Sequence, residues 1–202
     1  MMAAFATEFG IDRPDGKVAM AGRTDRAITA DLFALYGFPD NHSTWRRFLE
    51  AYLGHLPGQL ARHDGSVLPG VREVLEGLAQ RDDVLLGLLT GNYREGALLK
   101  LEHYRLRQFF GFGGYGDRHQ HRDDVAREAI EQLAARHPRN IDSRRVWVIG
   151  DTPADVRCGR AISANVVAVG TGVYGLDELR AAGPDRLLPD LADPQPLLDL
   201  LD

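Results

Sequence analysis

The pattern of apolar and polar residues divides the chain near residue 65. Before that point, apolar residues recur at helical spacing, and Phe5 and Phe9, four apart, share one helical face. A loop rich in proline and glycine, residues 12–16, is predicted to end this first helix. No strand pattern occurs in this stretch. It is therefore predicted to be a helical unit over residues 1–65, although the pattern alone is also compatible with a plain helical bundle.

Two further helices are predicted in this unit. Thr24 or Asp25 can cap the first of them, which runs to Gly37, since short polar side chains favour helix starts and glycine favours helix ends. Ser43 or Thr44 can cap the second.

After residue 65 the pattern changes to short apolar runs that alternate with amphipathic stretches. Continuous apolar runs of this length are typical of buried parallel strands, and their alternation with helices indicates an α/β layer. The fold class predicted for residues 66–202 is therefore α/β with a parallel sheet. Strands are predicted at 84–89, 110–115, 146–149, 165–169 and 186–188, and helices at 71–78, 97–104, 125–135, 154–161, 175–183 and 194–201.

Composition narrows the classes of partner. The formal net charge of the 202 residues is −5, and no basic tract stands out, so nucleic acid is an unexpected partner. No apolar stretch reaches transmembrane length. The one cysteine, Cys158, permits neither an intramolecular disulfide nor a zinc site built from thiolates. These features predict a cytoplasmic protein.

The apolar run at 84–89 is followed by Thr90, Gly91 and Asn92. Ligands bind just beyond the carboxyl ends of strands in open parallel sheets. A hydroxyl and free backbone N–H groups at such a strand end suit a phosphate oxygen. The alternative is a simple strand-to-helix turn, since Gly and Asn are turn residues.

The run at 146–149 is followed by the sequence GDTPAD, which carries Asp151 and Asp155. Pro153 suits an early helical position, so the two carboxylates bracket a helix start. Paired carboxylates at a strand end are hard oxygen ligands of the kind that Mg²⁺ prefers. The alternative is that Asp151 only caps the helix.

Thr90-Gly-Asn, a basic residue before a helix, and GDTPAD after a strand, in this order, resemble the haloacid dehalogenase-like hydrolases. The closer resemblance is to phosphoglycolate phosphatase-like members with a helical cap. LPGVREVLEGLA resembles the helix that returns from cap to core, and AGRTDRAI resembles a cap segment. The resemblance spans nearly the whole chain. It implies a Rossmann-like core, an all-helical cap, and an Mg²⁺-dependent phosphatase that acts on small phosphate monoesters through an aspartyl-phosphate.

The resemblance also implies roles for single residues. Thr90 would bind the transferring phosphoryl group, together with the Gly91 and Asn92 backbone. Asp151 would hold Mg²⁺, with Asp155 supporting it.

Three basic residues are candidates for contacting phosphate. The resemblance implies a Lys or Arg that neutralises the phosphate, and by position Arg122 at the start of the RDDVAREA helix is the choice, although it could equally be a solvated residue at a helix start. Lys100 is the rival, but it is predicted to lie inside the preceding helix and to face solvent. Arg23, in the cap segment, could reach a substrate anion, or it could be an ordinary surface arginine.

The family's first motif, an apolar strand followed by D-x-D-x-T or D-x-D-x-V, is not found in the sequence. Asp82-Asp83 precedes a strand, and Asp123-Asp124 opens a helix. MMAAFATEFGI resembles the segment just after that motif. The expectation is that the chain begins at an internal methionine and is inactive. The alternative is a non-catalytic pseudoenzyme that binds phosphate or a partner.

In the family, the strand that carries this motif lies in the middle of the sheet. Without it, Mg²⁺ binding by Asp151 and Asp155 is expected to be weak. The strands at 84–89 and 146–149 would have unpaired edges and exposed apolar surface. The chain is therefore expected to fold poorly, unless those two strands pair directly.

Overall fold

The computed structural model describes residues 1–11, 18–137 and 141–200. The predicted loop at 12–16 lies outside the described residues. Helices surround parallel strands, so the predicted α/β class is confirmed. No helix in the described part of the chain is long and apolar enough to cross a membrane.

Three helices come first: α1 (Met2–Phe9), α2 (Asp25–Tyr36) and α3 (His42–Arg62). Their core is aromatic. Phe5, Phe33 and Phe48 are fully buried. The Phe5 and Phe33 ring centroids lie 6.1 Å apart, and those of Phe33 and Phe48 lie 6.0 Å apart. Buried aromatic side chains contribute large apolar areas, so this cluster holds the three helices together.

The starts of α2 and α3 test two capping predictions. Thr24 caps α2 as predicted, because its hydroxyl accepts a hydrogen bond from the Ala27 N–H at 3.1 Å. The prediction of Ser43 or Thr44 for α3 is wrong. Asn41 is the cap, and its side chain accepts from the Thr44 N–H at 3.0 Å. Asn caps helices as well as Ser does, so the helix begins earlier and Thr44 lies in its first turn.

The remainder alternates helices with strands. Two single turns of 3-10 helix occur at Arg107–Phe109 and Ser143–Arg145. The elements in chain order are α4 (Val71–Ala79), β1 (Gly87–Leu89), α5 (Arg94–His103), β2 (Phe112–Gly114), α6 (Arg122–Arg136), β3 (Trp147–Gly150), α7 (Pro153–Ala161), β4 (Asn165–Val169), α8 (Leu176–Ala181), β5 (Arg186–Leu188) and α9 (Gln195–Leu198).

The strands form two separate parallel sheets. One is β1-β2, with Leu88 opposite Gly113. The other has the order β3-β4-β5, with Val148 opposite Val166 and Ala168 opposite Leu187. Among the described residues, β1 pairs only with β2 and β3 only with β4. The two strands expected to have unpaired edges therefore do have them, and they do not pair with each other.

The unpaired edges change how deeply the strands are buried. In β4, which has a neighbour on each side, the four residues from Val166 to Val169 are buried. In contrast, Leu85 is 52% exposed and Ile149 is 42% exposed. The prediction of fully buried strands is therefore correct for β4 and wrong for β1 and β3, because each of these has a neighbour on one edge only.

Candidate functional site

The two predicted loops leave the carboxyl ends of β1 and β3. Thr90 follows β1 directly, and Asp151 follows β3. Because β1 and β3 belong to separate sheets, no shared ladder holds these two loops together. What each loop contacts therefore decides what the site can do.

The loop after β1 is internally bonded. The Thr90 hydroxyl accepts a hydrogen bond from the Asn92 N–H at 3.1 Å. The Gly91 carbonyl accepts from the Asp25 N–H at 2.6 Å. A Cβ added to Gly91 would collide with the Arg23 carbonyl oxygen. The expectation of a free Asn92 N–H for phosphate is therefore wrong for this conformation, since Thr90 uses that donor.

The Asn92 side chain joins two charged groups. Its Nδ2 donates to Asp25 Oδ1 at 3.3 Å, and its Oδ1 accepts from the Lys100 Nζ at 2.8 Å. The prediction that Lys100 faces solvent is therefore wrong. Burial lowers the pKa of Lys100, and the nearby Asp25 charge opposes that shift. Lys100 is thus a half-buried cation close to the end of β1.

Asp25 is a residue that the sequence analysis missed as part of the site. Its Oδ2 accepts a hydrogen bond from the Tyr93 N–H at 2.9 Å. Burial raises the pKa of the Asp25 carboxyl, while the Tyr93 N–H, Lys100 and Asn92 act in the opposite direction. The sequence carried one signal, an acidic residue at a helix start. That signal indicates only a cap and does not reveal a contact 68 positions away.

A small cavity opens between α2 and the end of β1. Its volume is about 330 Å³. Arg23 lines it, but the Arg23 guanidinium also pairs with Asp31 at 2.7 Å. The structure therefore brings Arg23 and Asn92 to one cavity, together with Asp25 and Lys100.

The loop after β3 is organised around Asp155. Its Oδ2 accepts hydrogen bonds from the Asp151 N–H at 3.1 Å, the Thr152 N–H at 3.0 Å and the Thr152 hydroxyl at 2.8 Å. Thr152 and Asp155 also form a capping box at the start of α7. The other oxygen, Oδ1, accepts from Arg122 Nη2. The predicted residues Arg122 and Asp155 are therefore in direct contact.

One hydrogen-bond donor of Arg122 has no partner among the described residues. The Arg122 and Asp155 side chains are 13% and 7% exposed, so the ion pair is nearly buried. The Arg122 Nε is buried and has no hydrogen-bond partner among the described residues. Guanidinium groups present several donors in a fixed plane, which suits binding of a planar or tetrahedral anion.

Asp151 has a different environment from Asp155. Burial raises the pKa of its carboxyl, and the Asp155 charge raises it further, while Arg122 opposes the shift. The carboxylate lies beside Gly172, where an added Cβ would collide with Oδ2. Within the described part of the chain, no other residue donates a hydrogen bond to the Asp151 carboxylate. Asp151 is therefore the carboxylate of this pair that is available to a ligand.

The donor set allows a direct test of a metal site. The oxygens of Asp155 are already engaged, which leaves Asp151 as the free carboxylate. In residues 1–11, 18–137 and 141–200, no group of three or more His, Cys, Asp or Glu side chains could hold a metal ion. Mg²⁺ sites combine one or two carboxylates with waters and substrate phosphates. Asp151 suits one such ligand position, but these residues do not fit a complete Mg²⁺ site.

One short segment connects the two loops. A Cβ added at Gly22 would lie 3.1 Å from Ala154 Cβ, which is in the first turn of α7, directly after the loop that follows β3. The next residue, Arg23, contacts Gly91 after β1, as described above. The Thr24 hydroxyl donates to the Gln120 carbonyl at 3.3 Å, just before Arg122. Because consecutive Cα atoms are about 3.8 Å apart, residues 22–24 lie across the loop after β1, the loop after β3 and the segment just before α6.

Comparison with known proteins identifies the family. Residues 17–169, more than half of the chain, match the model of the haloacid dehalogenase-like hydrolases. The chain belongs to this family, and the resemblance inferred from Thr90-Gly-Asn and GDTPAD is confirmed.

One similar protein has a name that is more specific than that of the family. The chain is 32% identical over 127 residues to a phosphoglycolate phosphatase of Synechococcus elongatus. The match covers 63% of this chain and 57% of that protein, so it spans less than two thirds of the relative.

Solved structures share the fold. CbbY from Rhodobacter sphaeroides, in complex with phosphate, superposes with a TM-score of 0.70 at 17% identity, over 95% of this chain and 85% of that one. A predicted phosphoglycolate phosphatase from Haemophilus somnus gives 0.66 at 14% identity, over 98% and 89% of the two chains. At these identities the likeness establishes the shared α/β architecture.

Proposed function

We propose that this chain carries the phosphate-binding part of a phosphatase for small phosphate monoesters. The observation that carries the proposal is the cluster after β3. Asp155 holds Arg122 and the Asp151 backbone in place, which leaves the Asp151 carboxylate open to a ligand and one buried donor of Arg122, Nε, without a hydrogen-bond partner among the described residues. An unpartnered cationic donor beside an open carboxylate matches what a phosphate and its divalent counterion need.

Thr90 and Arg23 would contact phosphate only after each has lost its present hydrogen-bond or ion-pair partner. Thr90 would offer its hydroxyl to phosphate once the Asn92 N–H is no longer its partner. Arg23 would contact a substrate anion only after releasing Asp31. Both roles require residues 22–24 to shift, since this segment covers the loops. Residues 1–65 would then act as a cap that opens over a core formed by residues 66–202.

Catalysis in this kind of site needs a carboxylate nucleophile. A bound Mg²⁺ would supply charge neutralisation at the phosphate oxygens. Near these loops, Asp25 is bonded to Tyr93 and Asn92, Asp117 to the Arg94 N–H and Asp155 to Arg122, while Asp151 would serve the metal position. We therefore propose that the chain binds phosphate and, weakly, Mg²⁺, without turning over a monoester.

The test separates binding from turnover. Inorganic phosphate is titrated by calorimetry with and without Mg²⁺, and p-nitrophenyl phosphate hydrolysis is measured on the same preparation. Asp151→Asn should weaken the Mg²⁺-dependent part of phosphate binding at least fivefold. Asp177→Asn, at a side chain that is 97% exposed and pairs with Arg180, serves as the matched control.

Two outcomes would contradict the proposal. If Asp151→Asn binds phosphate and Mg²⁺ as the parent does, the site after β3 is not the phosphate site. If the purified chain hydrolyses the ester and Asp151→Asn abolishes hydrolysis, a nucleophile is present and the non-catalytic reading is wrong.

A further inference from the structure

The small cavity beside the end of β1 is bordered by three helices. Its volume is about 330 Å³. Helix α2 contributes Asp25 and Ile28, helix α3 contributes Tyr52 and Leu56, and helix α5 contributes Lys100. We call it the three-helix cavity. Small-molecule sites start at about 300 Å³ and combine apolar walls with a few polar groups, so this cavity has the size and lining of a site for a small ligand.

The Lys100 ammonium has more donors than acceptors around it. An ammonium group carries three N–H donors. In the described part of the chain, its only hydrogen-bond acceptor is Asn92 Oδ1, at 2.8 Å, which is uncharged. A half-buried cation without a bonded counterion is costly. Two of its donors therefore suit an anionic ligand.

The Tyr52 hydroxyl is a second donor in the same cavity. Tyr52 is 5% exposed, and among the described residues no group forms a hydrogen bond with its hydroxyl. Buried tyrosine hydroxyls usually have a hydrogen-bond partner. Burial raises the pKa of Tyr52, so the hydroxyl keeps its proton. A ligand that accepts a hydrogen bond would supply the partner that this hydroxyl lacks.

The remaining walls define the other properties of a ligand. The two Asp25 oxygens already accept hydrogen bonds from the Asn92 side chain and the Tyr93 N–H, as described above. Ile28 and Leu56, which are 4% and 8% exposed, give the cavity an apolar wall. The ligand should therefore accept hydrogen bonds at one end and be apolar at the other.

We propose that the three-helix cavity binds a short aliphatic carboxylate. Its oxygens accept hydrogen bonds from the Lys100 ammonium and the Tyr52 hydroxyl, and a charged acceptor strengthens both bonds. Its carbon chain packs against Ile28 and Leu56. The bound carboxylate joins α2 and α3 to α5, so it should raise the melting temperature of the protein.

This site is separate from the cluster after β3. Neither Arg122 nor Asp151 lines the three-helix cavity as the structure describes it. Arg23 does line the cavity, but its guanidinium already pairs with Asp31 and is not needed for the carboxylate. The inference therefore goes beyond the proposed phosphate binding and does not depend on it.

The test compares two probes with the same carbon chain. 3-Methylbutanoate and its neutral amide, 3-methylbutanamide, are titrated into the whole chain and followed by nuclear magnetic resonance. We expect saturable binding of the carboxylate, with nuclear Overhauser effects between its methyl groups and those of Ile28 and Leu56. The amide should bind at least tenfold more weakly, because it lacks the charge that pairs with Lys100.

Two variants remove the proposed donors one at a time. Lys100→Met should weaken binding of 3-methylbutanoate at least tenfold. Tyr52→Phe should weaken it at least threefold, because one hydrogen bond is lost. All variants are first checked for parent-like circular dichroism, and the comparison of the two probes on the parent protein depends on no variant.

Each variant has a matched control. Arg46→Met removes an exposed cation of α3 that pairs with Glu50. Tyr174→Phe removes the hydroxyl of a half-buried tyrosine that does not line the cavity. Both controls should bind 3-methylbutanoate as the parent does.

Several results would overturn the proposal. Equal binding of the amide, parent-like binding by Lys100→Met, absence of contacts to Ile28 and Leu56, or no binding by the parent would each do so. Displacement of 3-methylbutanoate by an equal concentration of inorganic phosphate would show that the cavity is a phosphate site instead. Asp151→Asn, which tests the proposed function, should leave carboxylate binding unchanged, so the two failures can be told apart.

Discussion

Arg122 and Asp155 form a nearly buried ion pair at the candidate site. Removing one partner of a nearly buried ion pair leaves the other charge desolvated, which costs about 3–5 kcal/mol. We expect Arg122→Ala to lower the free energy of unfolding by about 3 kcal/mol in urea titrations.

An exposed ion pair gives the matched control for Arg122. Arg144 and Asp142 are 88% and 40% exposed, and exposed pairs contribute little to stability. Arg144→Ala should therefore show no measurable change in the same titration. Equal effects of the two substitutions would contradict the structural role assigned to Arg122.

Asp25 gives a prediction about pH. Burial raises the pKa of its carboxyl in the folded protein. The folded state then binds this proton more tightly than the unfolded chain does. The resulting stabilisation is present below the ordinary pKa of aspartate and is lost as pH rises through the raised value.

Asp25→Asn removes this titration. The free energy of unfolding of the parent, minus that of the variant, should therefore fall as pH increases from about 4 to about 7. Asp64→Asn, at an exposed position, controls for the loss of a charge. A difference that stays constant with pH would show that Asp25 is not held in the environment described.

At this scale, the sequence predicts where a residue lies when that position depends on its own strand and helix, while the roles assigned to the site residues stay predictions. Asp151, Asp155 and Arg122 were placed at the ends of the right elements, and two of them touch. Sequence reasoning failed for Lys100 and missed Asp25. The surroundings of Lys100 and Asp25 depend on the contact between α2 and α5 through Asn92, and a local sequence pattern carries no information on that contact.

The strand edges give a prediction at the scale of elements. Open strand edges flanked by exposed apolar side chains promote edge-to-edge association, and an inserted lysine discourages it. Ile149→Lys should therefore raise the concentration at which the protein begins to aggregate, measured by light scattering.

Leu35→Lys controls for added charge away from the strands. If both lysine variants delay aggregation equally, net charge rather than the edge of β3 explains the effect.

The observed bounds of the strands show how far a sequence pattern predicts where a strand begins and ends. β4 and β5 were predicted at 165–169 and 186–188, where the structure has them. The apolar run at 84–89 gives a strand of only three residues, 87–89. Apolar character identifies a strand, but its regular length also depends on hydrogen bonds from both sides, and the run carries no information on whether both neighbours are present.

At the scale of the whole molecule, the close approach of Gly91 to Arg23 joins the helical part to the strand ends. A Cβ at Gly91 would meet backbone that cannot give way. Gly91→Ala should therefore lower the free energy of unfolding by about 2 kcal/mol. It should also speed amide exchange of Asp25, whose N–H bonds to Gly91, more than that of residues in the middle of α2.

Gly111→Ala is the matched control, since nothing lies within 4 Å of its added Cβ. If Gly91→Ala leaves Asp25 exchange unchanged, the helical part does not depend on this contact for its position.

The separation of the sheets also bears on how the chain reaches its native state. The β3-β4-β5 sheet, with α7 and α8, is built from one continuous stretch of fewer than fifty residues, 147–188. Its contacts close short loops, whereas the union of α2 with the β1 loop joins residues 67 and 68 positions apart. Low contact order favours rapid formation. This stretch should therefore act as the folding nucleus, with the first three helices docking late.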